Sequence, residues 1–297
     1  MRKLIRSFIN TLGYDVVKTN KWTEKKSKKK AIVRVGNYDI LMPPNNLQIH
    51  NYKNIPNLNI DLAKLAKTIA TKYSNLCVID VGANVGDTIA VIKSEIDIPI
   101  IAIEGDNTSY QFLEINSKKF NQITVINSFL GETQSEINVN IEKKGWNNTL
   151  VPDANAATKI TLQTLDSILL INGLQTRNNK LLKIDTEGFD TIILRGCKKL
   201  LEQNKPVVYF EFNAENMKAI GEDGIKTLLG LKTFGYASVL IFDGLSNLIV
   251  STTLHDKALL VQLNNYIHND SALIRFYDIC VFHEEDFDLV EQFLKYF

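Results

Sequence analysis

The sequence predicts an α/β fold in which a mostly parallel, seven-stranded sheet carries helices on both faces. From Leu76 onward, apolar strand-like runs alternate with segments of helical periodicity, which is typical of doubly wound folds. The strand-like runs are almost continuously apolar, as expected for parallel strands that are buried on both faces. Hydrophobic residues make up 45% of the 297 residues, which is enough for one large domain with a sizeable core.

Each element follows from its local pattern, in chain order. Gly36-Asn37 is a turn signal within a small predicted hairpin over residues 31–42, and apolar residues at helical spacing predict a helix over 59–73. The predicted strands are 76–80, 98–104, 123–127, 180–185, 206–212, 237–242 and part of 271–283. The predicted helices are 86–95, 107–119, 189–203, 223–234 and one at the C-terminus.

The first 30 residues differ in charge from the rest of the chain. They carry ten Lys/Arg and two Asp/Glu, a net charge of +8, whereas the remaining residues carry 24 and 31, a net charge of −7. Apolar residues at helical spacing over 4–12 predict a short amphipathic helix, and 14–30 is a predicted linker. A solvated tether is the simpler interpretation of the KKSKKK run, and contact with anionic lipid or nucleic acid is the alternative.

We therefore predict two regions: residues 1–58, with the basic helix, linker and hairpin, and residues 59–297, the main domain. An insert near 132–160 is predicted to form a hairpin followed by a loop.

The three widely separated cysteines favour a reducing compartment over a disulfide framework or a structural zinc site. The sequence lacks a long apolar span and a signal-peptide pattern. We thus expect a cytoplasmic protein, with residues 1–30 as the segment that could contact the inner face of the membrane.

The stretch DVGANVG places a carboxylate where a buried strand meets a glycine turn. Asp80 ends the first predicted central strand, and Gly82 and Gly86 allow the backbone to turn sharply and approach a ligand. A second carboxylate, Glu104, ends the next strand, where an acid can accept the hydroxyls of a ribose. A dinucleotide site is the alternative, but its G-x-G-x-x-G pattern differs, and Asp80 would repel a pyrophosphate. The pattern favours S-adenosylmethionine over NAD, and helix capping is the structural alternative for Asp80.

Two further acids follow the fourth predicted strand of this alternation. Asp185 and Glu187 would lie beside the same crevice, because ligands of open α/β sheets bind at the carboxyl ends of the strands. They are candidate catalytic residues that take a proton from an acceptor hydroxyl, or else ligands of Mg²⁺ through their hard oxygens. The structural alternative for Glu187 is a favourable interaction with the following helix N-terminus. We assign no metal site from the sequence, since no second tight acidic cluster appears, and Mg²⁺ stays an alternative.

Together, DVGANVGDT, AIEGDN, TLQTLDSIL, LLKIDTEGFDTIILRG and VVYFEFN resemble the FkbM family of S-adenosylmethionine-dependent methyltransferases over about residues 76–242. The resemblance implies a Rossmann-like class I methyltransferase fold and methylation of hydroxyl oxygens, often on sugars or secondary metabolites. It implies cofactor-binding roles for Asp80, Gly82, Asn84 and Gly86, with Glu104 at the ribose and Asn127 and Ser128 near the adenine. Glu104-Gly105 departs from the usual Glu-Pro, so this turn could differ, whereas Thr186 and Asp190 replace Val and Glu conservatively.

We therefore expect an O-methyltransferase that acts on a sugar or glycoconjugate, with surface polysaccharide biosynthesis as its setting. The alternatives are a methyltransferase for a small metabolite, or a catalytically silent methyltransferase-fold module that binds a partner. In the insert, Trp146 could stack on a sugar face and Asn147 could bind its hydroxyls, while packing onto the domain is the alternative for Trp146. Nucleic acid is not an expected partner, because no basic, aromatic-rich body is present to bind single strands.

Overall fold

The computed structural model describes residues 30–44, 46–55, 57–144 and 147–297, with side chains other than those of 141–150. The predicted helix over 4–12 and most of the predicted linker lie outside the described residues. The strands are β1 (Ala31–Val35), β2 (Tyr38–Met42), β3 (Leu76–Val81), β4 (Ile100–Glu104), β5 (Ile123–Asn127), β6 (Phe129–Leu130), β7 (Ser135–Lys144), β8 (Asn147–Pro152), β9 (Thr158–Gln163), β10 (Asn178–Ile184), β11 (Val207–Asn213), β12 (Tyr236–Phe242), β13 (Leu248–Thr253) and β14 (Phe276–His283).

Helices connect most of these strands. They are α1 (Gln48–Asn54), α2 (Ile60–Lys72), α3 (Asp87–Glu95), α4 (Asn107–Ser117), α5 (Leu165–Ile171), α6 (Asp190–Arg195), α7 (Lys198–Gln203), α8 (Ala214–Ala219), α9 (Gly224–Gly230), α10 (Lys257–Ile267) and α11 (Phe287–Phe293). Short 3₁₀ turns follow α9, precede α11 and end the chain. Within the described ranges, no helix is both long enough and apolar enough to cross a membrane.

The central sheet has the strand order β13-β12-β14-β11-β10-β3-β4-β5. Strands β5, β4, β3, β10 and β11 are parallel, and β14 runs antiparallel between β11 and β12. The chain builds outward from β3 to β5 and then restarts on the other side of β3 at β10, so the switch point lies between β3 and β10. This is the predicted Rossmann-like architecture, with all seven predicted strands present.

The sheet has eight strands rather than the predicted seven. The additional strand, β13, pairs antiparallel with β12 at the edge of the sheet. Its sequence, LIVSTT, alternates half-buried and exposed residues, so it lacks the continuous apolar run that marks the central strands. The turn before it is held by the Asp243 carboxylate, which accepts hydrogen bonds from the backbone N–H groups of Leu245 and Asn247.

Each face of the central sheet is buried against helices. Ile79 and Ile101 pack into one apolar cluster, whereas their neighbours Val78 and Ile100 pack into a second cluster on the opposite face. Successive strand residues point to opposite faces, so only a strand with helices on both sides can bury every residue in this way. The two-sided core explains the continuous apolar runs of the sequence.

The insert near 132–160 contains a hairpin, β7-β8, and a short loop over 153–157, and the chain then enters a further strand, β9, that the sequence did not predict. Strand β9 pairs antiparallel with β7 and parallel with the short β6, which makes a four-stranded sheet. The predicted helix over 189–203 is likewise divided into α6 and α7. Gly196 lies between the two helices, and a Cβ there would lie 2.4 Å from the carbonyl oxygen of Gly131. The backbone just before the insert therefore packs directly against the break.

The predicted hairpin, β1-β2, forms with its turn at Gly36-Asn37 and packs on α3 and α4. The backbone N–H of Asn37 donates to the Ser94 hydroxyl at 2.7 Å. The buried Asn116 amide binds both backbone groups of Leu41 at 3.0 and 2.8 Å. These contacts attach the segment before α2 to the main domain, and the predicted boundary at residue 59 stays a prediction.

Candidate functional site

A cavity opens at the carboxyl ends of β3, β4 and β10, at the switch point of the sheet. Five carboxylates and one ammonium group line it among the described residues: Asp87, Glu104, Asp106, Asp185, Glu187 and Lys183. This set favours a ligand that carries positive charge and opposes one that carries a pyrophosphate. The cavity therefore has the charge that the sequence predicted, although the residues that supply it differ in part from the predicted ones.

The glycine turn after β3 brings backbone close to the neighbouring strand. A Cβ on Gly82, whose φ is 73°, would lie 1.9 Å from the carbonyl oxygen of Asp185, so only glycine fits there. Asn84 has a left-handed φ of 47°, lines the cavity, and has a buried Oδ1 with no hydrogen-bond partner in the described part of the chain. Gly86, with φ 85°, does not line the cavity but directs the chain into α3.

Asp80 lies beneath the cavity, fully buried, rather than in its wall. Parallel pairing of β3 and β10 places it beside Lys183, and the Lys183 Nζ lies 3.0 Å from its Oδ1. Burial alone lowers the pKa of Lys183, but attraction to Asp80 and Asp185 outweighs it and raises the pKa, so the lysine stays charged. The charge of Asp80 is thus balanced inside the protein, and it does not meet a ligand as a bare carboxylate.

Glu104 lies in the cavity wall and has no cationic side chain as a hydrogen-bond partner in the described structure. Its two carboxylate oxygens accept backbone N–H bonds from Asn84, at 2.8 Å, and Asp106, at 2.7 Å. Burial raises the pKa of Glu104 to about 7, and these two hydrogen bonds oppose the rise only in part. The contacts fix the orientation of the carboxylate and leave lone pairs for the hydroxyl groups of a ligand.

Asp185 and Glu187 both line the cavity, on the turn after β10. The Asp185 side chain is 49% exposed, and its carboxylate lies 3.7 Å from the Lys183 Nζ. Glu187 has a left-handed φ of 55° and accepts a 2.7 Å hydrogen bond from the Asn216 amide. The buried Asp190 holds the turn by accepting bonds from the backbone N–H groups of Thr186 and Gly188. The turn thus presents two oriented acids to the cavity.

The end of the cavity near β5 is formed by Ser128 and Phe129. The Asn127 side chain is directed to backbone instead and donates to the carbonyl oxygen of Glu104 at 2.8 Å. Glycine rather than proline follows Glu104, and the structure gives a reason, since a Cβ on Gly105 would lie 2.2 Å from the Phe129 ring. Gly105 therefore leaves room for the Phe129 ring, which lines this end of the cavity and offers an aromatic surface to a planar ligand.

Several residues at the site were missed by the sequence prediction. Lys183 lies two residues before Asp185, and the period-two alternation of a strand was a signal that the two share a face. Gln48 and Asn59 also line the cavity but precede the α/β alternation, Gln48 in the predicted first region and Asn59 as the first residue of the predicted main domain, and neither had such a signal. The predicted substrate residues Trp146 and Asn147 cannot be placed: Trp146 and the Asn147 side chain lie outside the described part. Among the described residues, no group of three His, Cys, Asp or Glu is arranged to hold a metal ion.

Residues 80–237 match the family described as Methyltransferase FkbM domain. Among solved structures, the plantazolicin methyltransferase BamL, in complex with a triazolic desmethylPZN analog and SAH, is 9% identical with a TM-score of 0.44. That match covers 80% of this chain and 89% of BamL. A precorrin-6y C5,15-methyltransferase from Geobacter metallireducens GS-15 is 13% identical with a TM-score of 0.37, covering 75% of this chain and 87% of that one.

No curated protein matches the sequence significantly. The family match, however, spans more than half of the chain and includes both the glycine turn after β3 and the acidic turn after β10. The protein therefore belongs to the FkbM family of S-adenosylmethionine-dependent methyltransferases.

Proposed function

We propose that the protein transfers a methyl group from S-adenosylmethionine to a hydroxyl group of a sugar or glycoconjugate. The cofactor assignment is supported mainly by the cavity at the switch point, which the described residues line with five carboxylates and one lysine. A donor with a sulfonium and an ammonium group is attracted to such a cavity, whereas a dinucleotide is repelled. Family membership supports the same donor.

The residues of the cavity fit the parts of this donor. Glu104, oriented by two backbone N–H groups, would accept the ribose hydroxyls. Phe129 and Ser128 would contact the adenine, at the end of the cavity where Gly105 makes room for the ring. The close approach of Gly82 to Asp185 brings the glycine turn and the acidic turn together around the centre of the cavity.

The chemistry at the centre of the cavity requires a group that takes a proton. When bound, the donor supplies an electrophilic methyl group on a sulfonium. A sugar hydroxyl is a poor nucleophile until its proton is removed, and Asp185, half-exposed in the cavity wall, would accept that proton. Lys183 would keep the Asp185 carboxylate oriented, and Asn216 would do the same for Glu187, which would bind the acceptor beside it.

The sugar acceptor is proposed from the family, whose members often methylate hydroxyl oxygens. We propose that Trp146 and Asn147 bind the sugar by stacking and hydrogen bonding. Loss of acceptor affinity in Trp146→Ala with retained donor binding would agree with this role, whereas equal loss of both would show a packing residue.

The proposal is tested by mass spectrometry of surface glycans from cells with the protein, without it, and with the Asp185→Asn variant. We expect one CH₂ fewer per modified sugar in the last two. An unchanged profile would contradict the sugar acceptor. Donor consumption by the purified protein with a small-metabolite extract would then identify a different acceptor class.

A further inference from the structure

Gln48 and Asn59 line the cavity although they precede the α/β alternation in the chain. We propose that the side-chain amides of Asn59 and Gln48 bind the amino-acid part of the methyl donor, with its α-ammonium and α-carboxylate groups. This inference rests on the proposed function, because it assigns a part of the same donor to residues that neither the sequence prediction nor the family match includes. The family match begins at residue 80.

A chain of hydrogen bonds fixes Asn59 at the start of α2. The Asn59 amide Nδ2 donates to the Tyr52 hydroxyl at 3.4 Å, and this hydroxyl donates to the Asp87 Oδ2 at 3.0 Å. Tyr52 and Asp87 are both 4% exposed, so the connection is shielded from water. Asp87 is the first residue of α3, directly after the glycine turn. Asn59 is therefore positioned against the element that holds the donor.

The surroundings of Asp87 show which end of the cavity Asn59 faces. Asp87 begins α3, directly after the glycine turn at the carboxyl end of β3, and the Tyr52 hydroxyl connects it to Asn59. The adenosine end is formed instead by Glu104, Ser128 and Phe129. Asn59 is therefore connected to the turn after β3 rather than to the end of the cavity near β5. A donor whose ribose is on Glu104 and whose adenine is near Phe129 directs its amino-acid part toward the turn after β3.

Amide side chains suit a zwitterion at this position. An amide presents an N–H donor for a carboxylate and an oxygen acceptor for an ammonium group, and it carries no charge that would repel either. Asn59 also has a left-handed φ of 61°, a conformation that asparagine tolerates better than most residues and that is common at ligand sites. The start of α1 is fixed by the Asn46 side chain, which accepts a 2.8 Å hydrogen bond from the Gln48 backbone N–H.

Comparing the affinities of two ligands distinguishes a specific contact with the amino-acid part from a general effect on the cavity. S-adenosylhomocysteine contains the amino-acid part, whereas 5′-methylthioadenosine has the same adenosine and thioether but lacks it. Calorimetry of both ligands would use wild type, Asn59→Gly, Gln48→Ala and the double variant. Glycine is chosen at position 59 because it removes the side chain with its amide and still adopts the positive φ without strain.

We expect each single variant to bind S-adenosylhomocysteine about tenfold more weakly, since a hydrogen bond to a charged group is lost. Affinity for 5′-methylthioadenosine should be unchanged. Lys53→Ala, an exposed position on α1, should alter neither affinity and serves as the matched control. Circular dichroism and thermal unfolding of each variant would show that the fold is retained.

The inference would be overturned if the variants weakened binding of both ligands equally, which would make these residues part of a structural wall, or if they weakened neither. If wild type binds S-adenosylhomocysteine no more tightly than 5′-methylthioadenosine, the inference also fails, although the proposed adenosine site is retained. If folded wild type binds neither ligand, the proposed function itself is wrong.

Discussion

Asp80 and Glu104 end neighbouring parallel strands and were predicted to act on the same ligand, yet their surroundings differ. Asp80 is fully buried and paired with Lys183 at 3.0 Å. Glu104 is in the cavity wall, bound by two backbone N–H groups, with a pKa raised by burial to about 7. The first acid is part of an internal ion pair, and the second is available to a ligand.

The difference shows that a position at the end of a strand does not decide whether a carboxylate forms an internal ion pair or binds a ligand. Lys183, at the paired position on β10, cancels the charge of Asp80, whereas the strand next to Glu104, β5, places Asn127 at the paired position. The negative charge of the cavity therefore comes from carboxylates other than Asp80, among them Glu104 and the two acids of the turn after β10. The predictions below test this division of roles, from the largest expected effect to the smallest.

The largest effect is expected for Asp80→Asn. It leaves the buried Lys183 with the more distant Asp185 as its ion-pair partner among the described residues, and breaking a buried pair typically costs about 3–5 kcal/mol. Urea unfolding would measure the loss of the free energy of unfolding. Asp185→Asn is the matched control, because this side chain is 49% exposed and lies 3.7 Å from the same lysine, so its loss should cost less than about 1 kcal/mol.

A combined variant, Asp80→Asn with Lys183→Met, should recover much of the lost stability, since neither charge is then buried alone. If Asp80→Asn were as stable as wild type and lost only donor binding, Asp80 would be a ligand residue and the division of roles would be wrong.

Glu104→Gln should bind S-adenosylhomocysteine about 10- to 100-fold more weakly while the protein stays folded. The variant removes the negative charge that accepts the ribose hydroxyls, and hydrogen bonds to charged groups contribute about 1.5–3 kcal/mol. Isothermal titration calorimetry would measure the dissociation constant. An affinity equal to that of wild type would remove Glu104 from the binding site.

The affinity of wild type for S-adenosylhomocysteine should fall about tenfold between pH 8 and pH 6. The pKa of Glu104 is about 7, and a carboxylate accepts ribose hydroxyls best when ionised, so protonation competes with binding. The same raised pKa makes the empty protein less stable as the pH rises from 4.5 to 7, because the unfolded chain releases this proton first. A flat pH profile for Glu104→Gln is the control, and a flat profile for wild type would contradict the assignment.

The smallest effect is expected for Gly105→Ala. Its Cβ would meet the Phe129 ring at 2.2 Å, so the ring must move and the stacking surface is lost. We expect a few-fold loss of affinity for the adenosine ligand, since aromatic contacts contribute about 0.5–1.5 kcal/mol. Calorimetry would show partial recovery in Gly105→Ala combined with Phe129→Leu. No effect in either variant would show that the ring has no role in binding.

The sequence was sufficient for the central sheet because its strands are buried on both faces and read as continuous apolar runs. It was insufficient for β13 and β9, whose half-exposed residues resemble loops. Glu104, Asp185 and Glu187 could be predicted as cavity residues from their positions after strands. The pairing of Asp80 with Lys183 depends on strand register, and the contribution of Asn59 depends on how an earlier segment packs, neither of which a local pattern contains.

A crystal structure with S-adenosylhomocysteine would test the central claim most directly. The account predicts the ligand along the glycine turn after β3, with both ribose hydroxyls within hydrogen-bond distance of the Glu104 carboxylate and the Asp80–Lys183 pair intact beneath it. A ligand bound elsewhere, or a ribose that leaves Glu104 without contact while Asp80 separates from Lys183 to meet it, would contradict the account.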